Sequence, residues 1–284
     1  MTPCALLRET TRRFLEAGIP DPETDSALLL SFLLGKPPLS LRLNTDTELS
    51  PDILDSFDAL VQRRLSREPL QYITGEAPFC GRTFFVDRRV LIPRPETEEL
   101  CSWALESLPA SDSCRILDLC CGSGCIGLTL AAERPEWNVV LADCSADALE
   151  VAALNASRLD ISVSFHQGDL TKNFPDDSFD CIVSNPPYIP SAECTVLQPE
   201  VLREPVLALD GGSDGLDFYR RIADEAVRVL RPEGLLLLEM GYGESNRISA
   251  LLASQGFTEI TVRNDFSGIP RMLSARSPAR RNYV

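Results

Sequence analysis

From residue 115 onwards the sequence alternates between short apolar runs typical of β-strands and segments with helical periodicity. Seven candidate strands cover residues 115–119, 139–143, 163–167, 181–184, 235–240, 260–263 and 272–275. One helical segment places Leu216, Tyr219, Ile222, Ala226 and Leu230 on a single face. Alternation of this kind predicts a parallel sheet covered by helices on both sides. The last two strands have no room for a helical crossover, so we expect an antiparallel pair at or near one edge.

Residues 1–75 follow a different pattern, which predicts a small helical domain. An apolar spacing of seven to eight residues indicates a first helix near the start of the chain. A second helix is predicted from Asp21 to Leu34, because Gly35 and two prolines follow it. A third is predicted after Ser50, with a proline in its first turn, and it runs to about Arg67.

A hairpin linker is predicted for residues 76–93, between the helical domain and the sheet. Its β-like runs are Thr83 to Val86 and Val90 to Ile92. The third predicted domain, residues 94–284, opens with a helix whose first turn holds a proline and acidic residues.

Composition restricts the class of protein. The chain of 284 residues has a formal net charge of −15, which argues against a duplex DNA or RNA binder, since such proteins present basic surfaces. The acidity fits either solubility alone or a basic protein partner. The N-terminus lacks a basic segment followed by an apolar run, and the longest apolar clusters are too short for a bilayer. We therefore expect a cytoplasmic monomer that binds no membrane.

The ten cysteines lie mostly inside apolar runs, and we expect them to be reduced and buried. The group Cys120, Cys121 and Cys125 does not have the spacing of a common zinc site, and His166 is the only histidine. No metal is expected, and His166 is interpreted as structural.

A glycine-rich loop follows the first strand of the sheet. The strand ends at Asp118-Leu119, and Cys120-Cys121-Gly122-Ser123-Gly124 lead into a helix. Glycines allow a ligand to approach the backbone, and a helix N-terminus favours an anionic group. Asp143 ends the second strand, nineteen residues after Gly124, where a carboxylate can accept both hydroxyls of a ribose. The pattern predicts an adenosine site but leaves NAD and S-adenosylmethionine open.

The fourth strand runs directly into Asn185-Pro186-Pro187-Tyr188. Ligands of open parallel sheets lie beyond the carboxyl ends of the strands, so this tetrad should face the adenosine site. The prolines stiffen the segment and have no N–H, which leaves carbonyls free to accept. An amide oxygen, a free carbonyl and an aromatic ring form a receptor for a planar NH2 group. A hydride-transfer enzyme has no need of that receptor.

Together these motifs resemble the release factor glutamine methyltransferase family (HemK/PrmC type). The similar segments are residues 69–75, 91–98, 184–189 and 203–205, and the resemblance covers roughly residues 60 to 277. It implies a Rossmann-like seven-stranded class I methyltransferase fold with the last strand antiparallel. It implies S-adenosylmethionine as cofactor, S-adenosylhomocysteine as product, and methylation of the glutamine in the Gly-Gly-Gln motif of peptide chain release factors. The helical domain is then a substrate-recognition domain.

The resemblance also assigns roles to individual residues. Asp118, the loop from Cys120 to Gly124, Asp143 and Asn185 are implied to bind the cofactor, and Leu170 to flank the adenine. The tetrad Asn185, Pro186, Pro187 and Tyr188 is implied to bind the substrate, and Asn185, Pro186 and Tyr188 to be catalytic. Cys120 departs from the family, which usually has glycine there, and we expect this cysteine to adopt an ordinary φ angle.

Two other functions stay open at this point. A DNA or RNA adenine methyltransferase shares the tetrad but would be expected to carry a basic recognition surface. An NAD-dependent oxidoreductase, or a plain nucleotide-binding module, shares the glycine loop but does not need the tetrad.

Overall fold

The structure, a computed structural model, describes residues 1–43, 48–110 and 113–279. It divides into two compact units. The helical unit comprises Met1–Glu76 together with Gln198–Arg203, and the sheet unit comprises Ala77–Leu197 and Glu204–Val284. The predicted domain limits at residues 75 and 93 stay predictions.

The helical unit begins with helices whose starts are set by local sequence. Thr2 caps the first helix by accepting the N–H of Ala5, and prolines occupy the first turns of four helices. Gly35 ends the second helix in the left-handed conformation, as predicted. The two shortest helices were not predicted. The helices are α1 (Pro3–Glu16), α2 (Pro22–Leu34), α3 (Pro38–Leu43), α4 (Pro51–Leu65) and α5 (Leu70–Thr74).

Arg64 is the centre of a buried ion network in the helical unit. Its side chain is 5% exposed, and it donates to Asp25 at 2.7 Å and to Glu200 at 2.8 Å. Arg67 donates to the other oxygen of Glu200 at 2.8 Å. The network therefore fixes residues 198–203 to α2 and α4.

The sheet unit contains a seven-stranded sheet of order β5-β4-β3-β6-β7-β9-β8. All neighbouring strands are parallel except for the two pairings of β9. This confirms the predicted fold, including the antiparallel pair at one edge. The strands are β3 (Arg115–Leu119), β4 (Asn138–Asp143), β5 (Ser164–Gln167), β6 (Phe179–Ser184), β7 (Leu230–Glu239), β8 (Thr258–Asn264) and β9 (Pro270–Arg276).

Helices cover both faces of this sheet. Successive residues of the central strand β3 point to opposite sides, so Ile116 and Leu117 belong to two separate apolar clusters. Both side chains are fully buried. The helices are α6 (Pro95–Ser107), α7 (Cys125–Glu133), α8 (Ala146–Leu159), α9 (Asp217–Val229) and α10 (Ser245–Ser254).

The predicted hairpin was only partly right. A two-stranded sheet is formed by β1 (Glu76–Phe79) and β2 (Arg82–Phe85), but the predicted strand from Val90 to Ile92 is wrong. The N–H of Ile92 donates to the carboxylate of Glu204 at 3.0 Å instead of to a strand partner. Within residues 1–43, 48–110 and 113–279, no helix combines the length and apolarity needed to cross a membrane.

Candidate active site

Three of the predicted site segments meet at one edge of the sheet. Leu119 at the end of β3 is in register with Ala142 of β4 and with Ser184 of β6. The residues that follow each of them therefore emerge side by side at the carboxyl edge. The glycine loop, Asp143 and the Asn185 tetrad are thus brought together, as expected for an open parallel sheet.

The glycines in and just after the loop differ in how closely other atoms surround them. Gly122 has a φ of +52°, and a Cβ there would meet no protein atom within 4 Å. A Cβ on Gly124 would lie 2.7 Å from Leu141, and one on Gly127 would lie 2.9 Å from the carboxylate of Asp118. Gly124 and Gly127 therefore allow α7 to pack closely on the sheet. Gly122 leaves its backbone open to a ligand.

Cys120 contradicts the expectation of an ordinary backbone. Its φ is +59°, in the left-handed region that favours glycine. The chain must turn sharply here, because the next residue, Cys121, donates its N–H to Ala142 on the neighbouring strand at 3.1 Å. The cysteine thus adopts a conformation that glycine would adopt without strain.

The cysteine cluster has the chemistry of buried apolar side chains. Burial raises the pKa of the Cys120, Cys121 and Cys125 thiols, so they stay protonated near neutral pH. All ten cysteines are free. Across the ranges that the structure describes, no three His, Cys, Asp or Glu side chains are grouped so that they could hold a metal ion.

Asp143 lies at the edge of a cleft with each oxygen oriented by the backbone. One oxygen accepts the N–H of Gly122 at 3.0 Å, and the other accepts the N–H of Ser145 at 2.9 Å. Burial raises the pKa of this carboxyl despite these two bonds. Each oxygen retains a second lone pair, so the carboxylate can accept two hydroxyls from a ligand.

Asp118 is fully buried beneath the loop. One oxygen accepts the N–H of Gly127 at 2.8 Å, while Oδ1 has no hydrogen-bond partner within the described chain. Burial raises the pKa of this carboxyl to about 7. Asp118 holds the start of α7 against the sheet and does not line the cleft.

A cleft lies at this edge of the sheet, and residues from several segments of the chain line it. Of the predicted cofactor and substrate residues, those that line it are Cys120, Gly122, Asp143, Asn185 and Pro187. The predicted residues that do not line it are Asp118, Cys121, Ser123, Gly124, Leu170, Pro186 and Tyr188. Their roles stay predictions.

Leu170 is buried rather than open to the cleft. It has a φ of +52° and packs in the apolar cluster on the α9 face of the sheet. A side chain in that position can support the wall of an adenine pocket, but it does not border the cleft as it stands.

Several residues that line the cleft were not predicted as site residues from the sequence. They are Arg89, Val90, Leu91, Cys144, Ser145, Ala148, Pro205, Leu207, Ala208 and Phe218. Two of them, Leu91 and Pro205, belong to the segments 91–98 and 203–205, which were noted only for their resemblance. Glu204 connects these two segments. Its buried carboxylate accepts hydrogen bonds from the N–H of Ile92 and, at 2.5 Å, from the guanidinium of Arg94. Glu204 thus ties two walls of the cleft together.

Asn185 presents its side chain between the cleft and α6. Its amide Nδ2 donates to the hydroxyl of Thr97 at 3.4 Å. The partner is a side chain 88 residues away in sequence.

The backbone of Tyr188 packs against a second glycine segment, residues 211–215, which was not predicted from the sequence. A Cβ on Gly211 would lie 2.7 Å from Cα of Tyr188, and one on Gly215 would lie 2.5 Å from the Tyr188 carbonyl oxygen. Ile189 exchanges hydrogen bonds with Leu209 and Gly211. Burial raises the pKa of the Tyr188 hydroxyl, which stays neutral.

Comparisons with known proteins agree with this geometry. The family model described as PrmC N-terminal domain matches residues 5–75, and that described as methyltransferase small domain matches residues 101–213. A release factor glutamine methyltransferase from Geobacter sulfurreducens is 42% identical, with 94% of each chain covered. One from Chlorobaculum tepidum is 43% identical, with 95% of each chain covered.

The chain belongs to the release factor glutamine methyltransferase family. The resemblance read from its motifs is thereby confirmed, and the protein is an S-adenosylmethionine-dependent methyltransferase. A methyltransferase structure from Pyrococcus furiosus, 16% identical, supports the fold alone, with a TM-score of 0.54 over 79% of this chain and 99% of that one. As a family member, the protein is not an NAD-dependent oxidoreductase.

The cleft residues fit the cofactor of this family. Gly122 leaves open space above its backbone, and Asp143 offers two oriented acceptors beside it. These two features suit the ribose of an adenosine group, and the apolar side chains around them suit its flat ring.

Proposed function

We propose that the protein transfers a methyl group from S-adenosylmethionine to the side-chain amide nitrogen (N5) of the glutamine in the Gly-Gly-Gln motif of peptide chain release factors. The product of the cofactor is S-adenosylhomocysteine. The observation that carries the proposal is the orientation of Asn185. Its NH2 group is engaged by Thr97, which leaves Oδ1 as an acceptor beside the cleft.

The cofactor is assigned to the end of the cleft next to β3 and β4. Asp143 would accept its ribose hydroxyls, and the backbone at Gly122 would lie against it. Cys121, Ser123, Gly124 and Leu170 would shape the site from beneath. When bound, S-adenosylmethionine supplies a methyl group already activated by a sulfonium centre.

The protein's own task is then to position the amide nitrogen. An amide is a poor nucleophile, because its lone pair is delocalised into the carbonyl. Asn185 Oδ1 and the Pro186 carbonyl would accept the two N–H bonds of the glutamine, which fixes the nitrogen and increases its electron density. Holding the reacting atoms about 3–3.5 Å apart and in line supplies much of the acceleration. The proton can leave for solvent after transfer.

The last two tetrad residues have supporting roles in this proposal. Pro187 contributes an apolar wall, and Tyr188 closes the site around the amide. The glycines at 211 and 215 keep the Tyr188 backbone in place.

The release factor is the proposed partner, bound by a monomer with the help of the helical unit. A formal net charge of −15 favours a basic protein surface over the phosphate backbone of a nucleic acid. This charge also argues against adenine in DNA or RNA as the substrate. The cytoplasmic location stays a prediction.

The test is transfer of labelled methyl from S-adenosylmethionine to purified release factor. We expect label on wild-type factor and none on a factor whose Gly-Gly-Gln glutamine is replaced by alanine. Equal labelling of the two factors, or labelling of adenine in DNA or RNA instead, would contradict the proposal.

A further inference from the structure

An asparagine that accepts a hydrogen bond from a substrate must keep its oxygen, and not its NH2 group, towards that substrate. The two ends of the amide have nearly the same shape, so packing alone does not distinguish them. The orientation must come from a neighbour that can bond to only one end. For Asn185 the hydroxyl of Thr97 is the neighbour, and it receives the Nδ2 donor at 3.4 Å.

The hydroxyl of Thr97, in the first turn of α6, is the donor of a second hydrogen bond. It donates to Oε2 of Glu239 at 2.6 Å, and both side chains are 2% exposed. A hydroxyl has one hydrogen. Once Thr97 gives that hydrogen to Glu239, its oxygen can only accept, and an acceptor binds the NH2 end of Asn185.

The position of Glu239 is set by strand pairing in the sheet and not by an ion pair. It follows Leu238, which is in register with Ser184, so Glu239 and Asn185 leave neighbouring strands at the same level. The Tyr219 hydroxyl donates to the Glu239 backbone carbonyl at 2.8 Å. Thr97 is fixed in turn, since its N–H donates to the Arg94 carbonyl at 3.1 Å.

We propose that Thr97 and Glu239 are positioning residues, which hold the Asn185 amide with Oδ1 towards the substrate through the chain Asn185 NH2 to Thr97 hydroxyl to Glu239 carboxylate. This inference rests on the proposed function. Neither Thr97 nor Glu239 needs to touch the substrate.

The hydrogen bonds from Asn185 to Thr97 and from Thr97 to Glu239 run in this direction only while Glu239 is ionised. Burial raises the pKa of its carboxyl to about 7. Below that pH a protonated Glu239 can donate to Thr97, which frees the Thr97 hydrogen and removes the preference for the NH2 end. The titratable and charged groups around Glu239 are Arg94, Glu96, Cys125, Tyr188, Tyr219 and Arg271.

The first experiment replaces the hydroxyl. Thr97→Val keeps the shape and should lower the single-turnover rate roughly 10- to 100-fold, while the affinities for cofactor and release factor change less than about twofold. Thr97→Ser keeps the hydroxyl and should restore most of the rate. Thr129→Val is the matched control, because Thr129 is a buried helical threonine of the same unit that lies outside the Asn185–Thr97–Glu239 hydrogen-bond chain.

The second experiment follows the rate with pH. The wild-type rate should fall as pH drops below about 7, as Glu239 gains its proton. Glu239→Gln keeps an acceptor oxygen for Thr97 and cannot titrate, so it should stay active and lose this pH dependence.

The outcomes separate this inference from the proposed function. If wild-type enzyme does not methylate release factor, the proposed function fails. If it does, an unchanged rate in Thr97→Val overturns the positioning role. Equal losses in Thr97→Val and Thr97→Ser, or a pH profile of Glu239→Gln identical to that of the wild type, also overturn it.

Discussion

In the helical unit the carboxylates of Asp25 and Glu200 bind arginines, whereas in the sheet unit the buried carboxylates of Asp118 and Glu239 accept hydrogen bonds from neutral donors. Asp25 and Glu200 are bound by Arg64, and Arg67 completes the shell of Glu200. Asp118 is held by a backbone N–H, and Glu239 by the hydroxyl of Thr97. The arginines that act on Glu239 at longer range are Arg94 and Arg271, and both pair with other carboxylates.

In the helical unit, arginine binding outweighs burial at only one of the two carboxyls. Arg67 and Arg64 leave the pKa of Glu200 below its ordinary value, although burial raises it. Burial still raises the pKa of Asp25 despite its bond to Arg64. Burial raises the pKa of both Asp118 and Glu239 to about 7. Asp25 and Glu200 are therefore paired with a shared cation. Asp118 and Glu239 are held by neutral donors instead, and perturbed carboxyls of this kind are common where groups act on a ligand.

The largest effect expected from this contrast is on stability. Arg64→Ala would leave Asp25 and Glu200 buried without their shared cation, so the free energy of unfolding should fall by about 3–5 kcal/mol. Chemical denaturation measures it. The control is Arg12→Ala, which removes an exposed ion pair with Glu16 in the same unit and should cost no more than about 1 kcal/mol. Similar losses in the two variants would contradict the contrast.

At the cleft, removal of a carboxylate should affect binding and not stability. Asp143→Ala should weaken S-adenosylmethionine binding by about 1.5–3 kcal/mol, the range for a hydrogen bond to a charged group. Calorimetry measures this change. Asp147→Ala, an exposed aspartate four residues later, is the control and should bind normally. Unchanged affinity in Asp143→Ala would remove the ribose assignment.

A smaller effect is expected at the strained turn beside the cleft. Cys120 has a φ of +59°, a conformation that costs an ordinary residue roughly 1–2 kcal/mol. Cys120→Gly should therefore unfold at higher denaturant concentration than Cys120→Ala, which keeps the strain, and both should bind cofactor. A glycine variant less stable than the alanine variant would show that the turn is not strained.

The smallest effect concerns the surface, where charges are screened. Association with release factor should slow as salt is added, because an acidic enzyme would attract a basic partner. Stopped-flow measurement of the association rate tests this. A rate independent of salt would exclude electrostatic steering and leave the chemistry untouched.

The sequence predicted what depends on periodicity and on strand order. The seven strands follow from apolar alternation, and parallel pairing brings Asp143 and Asn185 to one edge. Short elements gave weaker signals. The helices α3 and α5 were missed, and the apolar run at Val90 to Ile92 was taken for a strand because nothing local reveals that Glu204 binds its backbone.

The contacts that orient the site could not be predicted, because they join distant residues. Thr97 and Glu239 are 142 residues apart. Thr97 lies in a segment noted for its resemblance, and Glu239 ends an apolar strand. Their hydrogen bond depends on how α6 packs against β7, which the sequence pattern does not specify.

The central claim is that Asn185 accepts a hydrogen bond from the glutamine amide as transfer occurs. The most direct measurement is the single-turnover rate of methyl transfer to release factor by Asn185→Ala, with cofactor affinity measured in parallel. The account predicts a rate lowered by roughly 10²–10³, by analogy with loss of one preorganised polar group at a reacting centre, and a cofactor affinity that changes little. An Asn185→Ala enzyme that methylates release factor at close to the wild-type rate would contradict it.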